Sequence, residues 1–440
     1  MSCVNEDEEN HMTSPETVGT SSVEDGGTIT RQQWRWSVLA GMASYLDAGS
    51  IVALGAGLAL FQSYLGLSDG AVGALAAIGP NAIGCAIGAF IGGRLGDKLG
   101  RKRIYKYDLL VYAAGILCIA LAVNTPMLFI GTFVVGVAVG ADVPTSLALV
   151  GEFSPSKARG KLLGFTQVAW NLGPVIVLLL SLALTPLDLL GTRIVFLHLF
   201  VIALVTWAMR RGLSESARWT SASSTRDVKY QLKALFQGAH LKALLFTGIV
   251  YVFWNIAAGT GGIFTPYVIK TLNAGSQAAS VALSCAGFLI GILVTTLVFM
   301  RFADRSHHTR KWMWGIGAVM QIVAYGIYVV LPFNIPVIIA NIVLFGVGCS
   351  LAGEAFYKVW SQELFPTMLR GTAQGFTFGV ARTLLGVWSF FLPTLASGGF
   401  TVAGGLLTLF LVISGGVGFF FMPNTSGKSL EQIEAERATA

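Results

Sequence analysis

Twelve runs of mostly apolar residues, each near the length of a bilayer crossing, recur between residues 34 and 422. They fall at about 34–61, 72–94, 106–123, 127–151, 162–185, 191–210, 243–270, 277–300, 312–332, 335–360, 372–396 and 400–422. A helix needs roughly 20 such residues to span the hydrocarbon core. In lipid the backbone N–H and C=O groups must be satisfied within the segment, so helices are the form these runs can take. Composition agrees. The chain is 54% hydrophobic and 12% charged, whereas soluble domains carry about 25% charged residues. So few charges cannot cover a surface in water. That excludes an ordinary cytosolic enzyme, a disordered chain and a secreted disulfide scaffold. The predicted fold is an all-α membrane protein with twelve transmembrane helices. Fifty-three glycines fit it, because small residues let membrane helices approach closely.

Charge gives the topology. Of 29 Lys and Arg, 25 fall in the terminal segments and in the loops after runs 2, 4, 6, 8 and 10. The opposite loops hold Arg193 and Lys270, and Lys358 and Arg382 fall inside runs. The positive-inside rule makes the basic end cytoplasmic, with both termini. The net charge of +7 is therefore a topology signal, and no nucleic-acid partner is expected. The cysteines (Cys3, Cys85, Cys118, Cys285, Cys349) show no ligand spacing, so neither a metal site nor a disulfide framework is predicted.

Residues 1–33 are acidic and polar and read as a disordered cytoplasmic tail without a cleavable signal. Residues 34–211 form a first six-helix bundle and 242–423 a second, with a cytoplasmic tail at 424–440. The linker, 212–241, places Val228, Leu232, Leu235 and Phe236 at helical spacing, which predicts a short amphipathic helix on the cytoplasmic surface.

The two halves echo each other. Gly93-Arg94-Leu95-Gly96-Asp97-Lys98-Leu99-Gly100-Arg101-Lys102-Arg103 after run 2 answers to Arg301-Phe302-Ala303-Asp304-Arg305 after run 8. Glu152 to Gly160 after run 4 answers to Glu363 to Gly371 after run 10, each an E-x6-R-G with an internal Pro. Repeated halves with a site between them are the logic of alternating access.

The first motif resembles the signature of the major facilitator superfamily, and the doubled E-x6-R-G resembles that of its sugar-porter branch. Leu213-Ser214-Glu215-Ser216-Ala217-Arg218-Trp219 and Pro423-Asn424-Thr425-Ser426-Gly427-Lys428-Ser429-Leu430-Glu431 are similar to two further motifs of that branch. Gly140-Ala141-Asp142-Val143-Pro144 looks more like bacterial metabolite– and inositol–proton symporters. The resemblance covers about 34–434 and implies two six-helix bundles around a central cavity.

At the basic end, Gly93, Asp97, Gly100, Arg101, Glu152, Arg159, Asp304, Arg305, Glu363 and Arg370 are candidates for a gate. A carboxylate such as Asp97 can sit at the positive N-terminus of a neighbouring helix. Arg101 and Arg159 can pair with Glu152 or across the seam between halves. The plainer reading is that these charges only fix topology and anchor helix ends. On the gate reading, Asp97→Asn and Glu363→Gln shift the resting state toward inward-open.

Charges inside the membrane need a reason, since each costs about 2.5–3.5 kcal/mol on insertion scales. Asp47, in run 1, is a proton-carrier candidate, and by resemblance sits where proton-coupled sugar porters have an Asp. The Arg that those porters place in helix 4 is Thr132 here. Asp142, two residues before Pro144, is a second proton-site candidate, with helix packing as the alternative. Glu354 and Lys358 share a helix face at i, i+4, as a proton and substrate site or as an inert internal pair. Lys358 and Arg382 fall at cavity positions by resemblance. They suit either counter-charges for the acids or an anionic substrate. Gln167 matches the branch's sugar-binding Gln by its spacing from Arg159. Trp170, Asn171, Trp254 and Asn255 are further pocket candidates, the tryptophans having lipid packing as the alternative.

The expected function is proton-coupled symport of a small polyol or sugar, inositol-like, in the cell membrane by a monomer, with the proton as coupling ion and no cofactor. Proton-coupled transport of an organic carboxylate and an uncoupled sugar facilitator are the alternatives. No nucleophile–base or metal constellation points to an enzyme.

Overall fold

A computed structural model describes residues 28–224, 232–271, 277–396 and 400–438. Twelve long helices follow in chain order: α1 Arg31–Leu65, α2 in two pieces (Asp69–Ile78 and Ile83–Leu99), α3 Arg101–Ala120, α4 Thr125–Phe153, α5 Arg159–Ala183 and α6 Asp188–Arg210 in the first half. The second half holds α7 Gly238–Thr271, α8 Gln277–Val294 with a continuation to Phe302, α9 His307–Val330, α10 in two pieces (Ile335–Leu351 and Glu354–Glu363), α11 Thr367–Ala396 and α12 Thr401–Phe420. Among the described residues, eleven spans are long and apolar enough to cross a membrane on length and composition. The remaining helix, α3, carries Arg101, Lys102, Arg103, Lys106 and Asp108 in its first turns and is the most polar of the set.

Local chemistry sets the helix ends. Thr30 caps α1 with a reciprocal Gln33 contact. Asn124, Ser306 and Asn334 accept from backbone N–H groups at the starts of α4, α9 and α10. α1 thus takes in the last three residues of the tail assigned from sequence, 31–33, and residues 1–27 lie outside the described residues. The linker differs from expectation too. It holds a short helix, Ala217–Ser224, and a 3-10 turn, Leu232–Phe236. Leu235 is buried, Phe236 packs edge-on to Phe376 of α11, and Leu232 is exposed. Val228 lies outside the described residues. A surface-lying amphipathic helix is therefore not what Leu235 and Phe236 build; they tie the linker to the second half.

Large apolar side chains such as Ile130, Val205, Leu293, Val319 and Phe391 stand exposed on the outer faces. In water they would make a sticky surface, and in hydrocarbon they are at home. The polar groups turn inward, toward the seam between halves. α2 packs on α4 within its half and on α11 of the other, and α5 packs on α8 across the seam. Gly93 shows why α2 is rich in glycine. A Cβ there would run into the carbonyl oxygen of Gly371 in α11. Gly93→Ala is expected to destabilise the closed seam by about 1–3 kcal/mol, the usual cost of overpacking. Thermal melting checks this, and an unchanged Tm would contradict the close approach. Gly100 joins α2 to α3 at φ 94°, a left-handed conformation that favours glycine.

Candidate functional site

Two polar layers cross the seam. The deeper surrounds a central cavity walled by α1, α2, α5 and α7 to α11. Gln167, Trp170, Asn171, Trp254, Asn255, Glu354 and Arg382 all line it. Asp47 stands just behind the wall, 2% exposed. One of its oxygens accepts from Trp170 Nε1 at 3.1 Å and lies 3.8 Å from Arg382 Nη2. The other finds no partner among the described residues. Arg382 donates to Asn81 Oδ1 at 2.8 Å and lies over the Phe378 ring. Asn81 sits in the break of α2 and was not anticipated from sequence, where it is only one polar residue beside a proline.

Lys358 corrects its sequence assignment. It is not part of the cavity wall. Its Nζ donates to Gln167 Oε1 at 2.7 Å across the seam and lies 3.6 Å from Glu354. It therefore reaches the cavity only through those two side chains. Asn171 donates to the Gln167 carbonyl at 3.0 Å, which leaves its oxygen toward the void. On the opposite wall Trp254 stacks on Tyr251, which stacks on Tyr357 with centroids 3.7 Å apart. Trp254 Nε1 and Asn255 Oδ1 are buried without partners among the described residues. A buried donor or acceptor left unmade is costly, and both residues also line the cavity.

Asp142 is the clearest correction. It does not touch the cavity. Both its oxygens accept from Arg210 Nη1 at 3.2 Å, and Ser146 donates to Oδ1 at 2.5 Å. Arg210 also lies 3.4 Å from Asp108 and donates to the Leu39 carbonyl at 3.0 Å. This buried knot ties α1, α3, α4 and α6 into one half. Sequence counting put Arg210 among loop cations because it precedes Arg211. Only the fold separates the two: Arg210 is buried, while Arg211 lies over the Trp207 ring at the surface. Trp360 packs among Phe356, Phe246 and Trp314, and Trp388 donates to Thr260, so both are packing residues.

The second layer closes the basic end with two mirrored networks. In the first, Asp97 accepts from the backbone N–H groups of Gly371 and Thr372 (3.1 and 2.6 Å) and from the Thr372 hydroxyl. Arg101 pairs with Asp97 at 3.1 Å and Glu152 at 2.8 Å, and donates to the Thr367 carbonyl. Arg370 reaches the same Glu152 oxygen from the other half at 3.2 Å. In the second network, Asp304 accepts from Gly160 and Lys161 N–H, both at 2.8 Å. Glu363 takes Arg159 at 3.0 Å, Arg310 at 2.8 Å and the Thr425 hydroxyl at 2.6 Å. Each half thus lends an acid to backbone N–H groups of a helix in the other; for Asp304 these lie in the first turn of α5, where the helix dipole favours negative charge.

Two residues differ from the sequence assignment here. Arg305 is exposed and stacks on Phe302, outside the network. Its expected place is taken by Arg310, which sequence reading placed among the loop cations. Glu215, in the linker, accepts from the N–H groups of Arg101 and Lys102. Trp219 donates to the Asp97 carbonyl. The linker motif thereby braces the first network.

The sequence model described as Major Facilitator Superfamily matches residues 37–390. The chain belongs to this superfamily. It is a multi-pass membrane transporter, not an enzyme. Within the superfamily, it is 40% identical to the minor myo-inositol transporter IolF of Bacillus subtilis (strain 168), over 91% of this chain and 93% of that one. It is 25% identical to the glucose transporter GlcP of Staphylococcus epidermidis, over 76% and 82%. Among solved structures, the proton:xylose symporter XylE bound to 6-bromo-6-deoxy-D-glucose superposes with a TM-score of 0.81 at 18% identity, over 92% of this chain and 99% of that one. The human organic anion transporter MFSD10 gives 0.71 at 15%, over 88% and 100%. Both share the superfamily fold.

Proposed function

We propose that this transporter is a proton-coupled symporter of a small polyol, inositol-like, in the cell membrane, with the basic end and both termini cytoplasmic. The observation that carries the reading is the Asp47–Arg382 pair. Arg382 lines the cavity, Asp47 stands just behind it, and the pair joins α1 of one half to α11 of the other. Asp47, Glu354, Lys358 and Arg382 balance in formal charge, so a neutral solute enters without an uncompensated charge. The amide side chains of Gln167, Asn171 and Asn255 on the cavity wall suit ring hydroxyls, and the Trp254–Tyr251 plates suit the C–H face of a ring. The myo-inositol assignment of the 40% identical relative supports the same solute class.

Coupling follows from the pair. With Asp47 charged, Arg382 is held toward α1. A proton on Asp47 removes that attraction and leaves Arg382 with Asn81 and the Phe378 face. The seam then loses one of its central ties while solute fills the wall. No resident cofactor takes part, and the proton is the coupling ion.

The test is uptake into proteoliposomes of labelled myo-inositol and of labelled small carboxylates, with and without an acid-outside pH gradient. The gradient is expected to stimulate inositol uptake and not carboxylate uptake. Stimulation confined to carboxylates, or none at all, would refute the reading.

A further inference from the structure

A notch opens at the basic end between the halves, apart from the central cavity. It is walled by Trp34 at the start of α1, by Lys157 and Lys161 around the start of α5, and by Arg301 and Arg305 around the end of α8. Two cations from each half therefore face one space. All four are exposed, and none pairs with an acid among the described residues. Lys161 Nζ lies 5.8 Å from the Trp34 ring and Arg305 4.3 Å from the Phe302 ring, contacts that leave the charge uncompensated. The single acid in the wall, Asp304, is committed to the Gly160 and Lys161 N–H groups and to Arg310. Four like charges on a shared wall repel one another, most strongly when the halves are together.

We propose that this notch binds a phosphate ester, the headgroup of an anionic lipid in the adjoining leaflet, and that occupancy favours the closed basic end. The notch lies where α1, α5 and α8 end, beside an indole of the kind that sits at the membrane surface. Basic pockets between membrane helices suit such headgroups. A phosphate has oxygens enough to bridge cations of both halves. All four cations reach one ligand only while the halves are together, so binding and closure are linked. The inference rests on the membrane setting, not on which solute the cavity takes.

The competing occupant is the chain itself. Residues 1–27 hold seven Asp and Glu and no Lys or Arg, and they lead directly into Thr28 and Ile29, which also line the notch. The experiment separates the sources. Melting of the full-length protein in neutral detergent is followed while phosphatidylglycerol, phosphatidylcholine or inorganic phosphate is added. Phosphatidylglycerol is expected to raise Tm saturably and phosphatidylcholine to leave it unchanged. The double variant Lys161→Gln/Arg301→Gln is expected to weaken the apparent affinity for phosphatidylglycerol about 25-fold, at roughly five-fold per cation. Lys161→Arg/Arg301→Lys, which keeps the charges, is expected to retain the response and so guards against a folding defect. An undiminished response in the charge-removing variant overturns the site, as does no response in the native chain. An equal response to inorganic phosphate overturns the lipid assignment. A response that emerges only after removal of residues 2–27 gives the notch to the tail and overturns it likewise.

Discussion

Asp47→Asn is expected to abolish acid-driven accumulation of solute while leaving solute exchange across the membrane. At one proton per solute, a pH difference of two units can drive at most about a hundred-fold accumulation, since each unit is worth about 1.36 kcal/mol. The variant is expected to bring that ratio to about one. The geometry separates the two activities. Asp47 is not part of the cavity wall, and an amide still accepts from Trp170 Nε1, so the wall keeps its shape. What is lost is a charge that a proton can cancel opposite Arg382. Accumulation and counterflow measured in the same proteoliposomes check this. Undiminished accumulation would remove Asp47 from the coupling path, and lost counterflow would make it a binding residue instead.

Glu363→Gln is expected to open the basic end. Glu363 holds Arg159 from one half and Arg310 from its own, which also reaches Asp304, with Thr425 behind. Without its charge the buried Arg159 loses its acid partner, and Arg310 keeps only the longer contact to Asp304 at 3.4 Å. Removing one partner of a buried ion pair typically costs about 3–5 kcal/mol. That cost falls on the closed arrangement, because an opened seam admits water to both cations. A shift of about 3 kcal/mol changes the balance between states by more than a hundred-fold. Spin labels at Lys102 and His308, exposed positions on opposite halves, report the separation. The distribution is expected to move to longer distances, and the same change is expected for Glu152→Gln, which takes the acid from Arg370 and one of two from Arg101 in the mirrored network. An unchanged distribution in both would reduce these charges to anchors of helix ends.

The twelve-helix fold was legible because lipid imposes it: run length and loop charge leave little freedom. The acids and bases at the basic end were legible because each half repeats the same spacing. Asp97 with Arg101, Glu152 with Arg370 and Glu363 with Arg159 are indeed brought together. Arg210 and Arg310 were not singled out, since each is one of two adjacent cations in sequence and burial alone distinguishes the pair. Asp142, a proton-site candidate with helix packing as the alternative, is turned by its helix toward Arg210, at 3.2 Å, and away from the cavity wall. Asn81 and the linker residue Glu215 needed tertiary contacts to be seen at all. Thr132, where the sugar-porter branch has an arginine, is fully buried. The positive charge opposite Asp47 comes instead from Arg382, on the other side of the seam.

The break in α10 at Ala352 and Gly353 has a mechanical consequence. It frees the segment Glu354–Glu363 from the helix above, as a rigid rod about 13 Å long at 1.5 Å per residue. One tip carries Glu354 at the solute wall and the other carries Glu363 at the lock. A short stiff lever with a joint at its upper tip turns a small tilt at the load into displacement at the latch. No long relay of side chains is then required for an occupied cavity to be felt at the far surface.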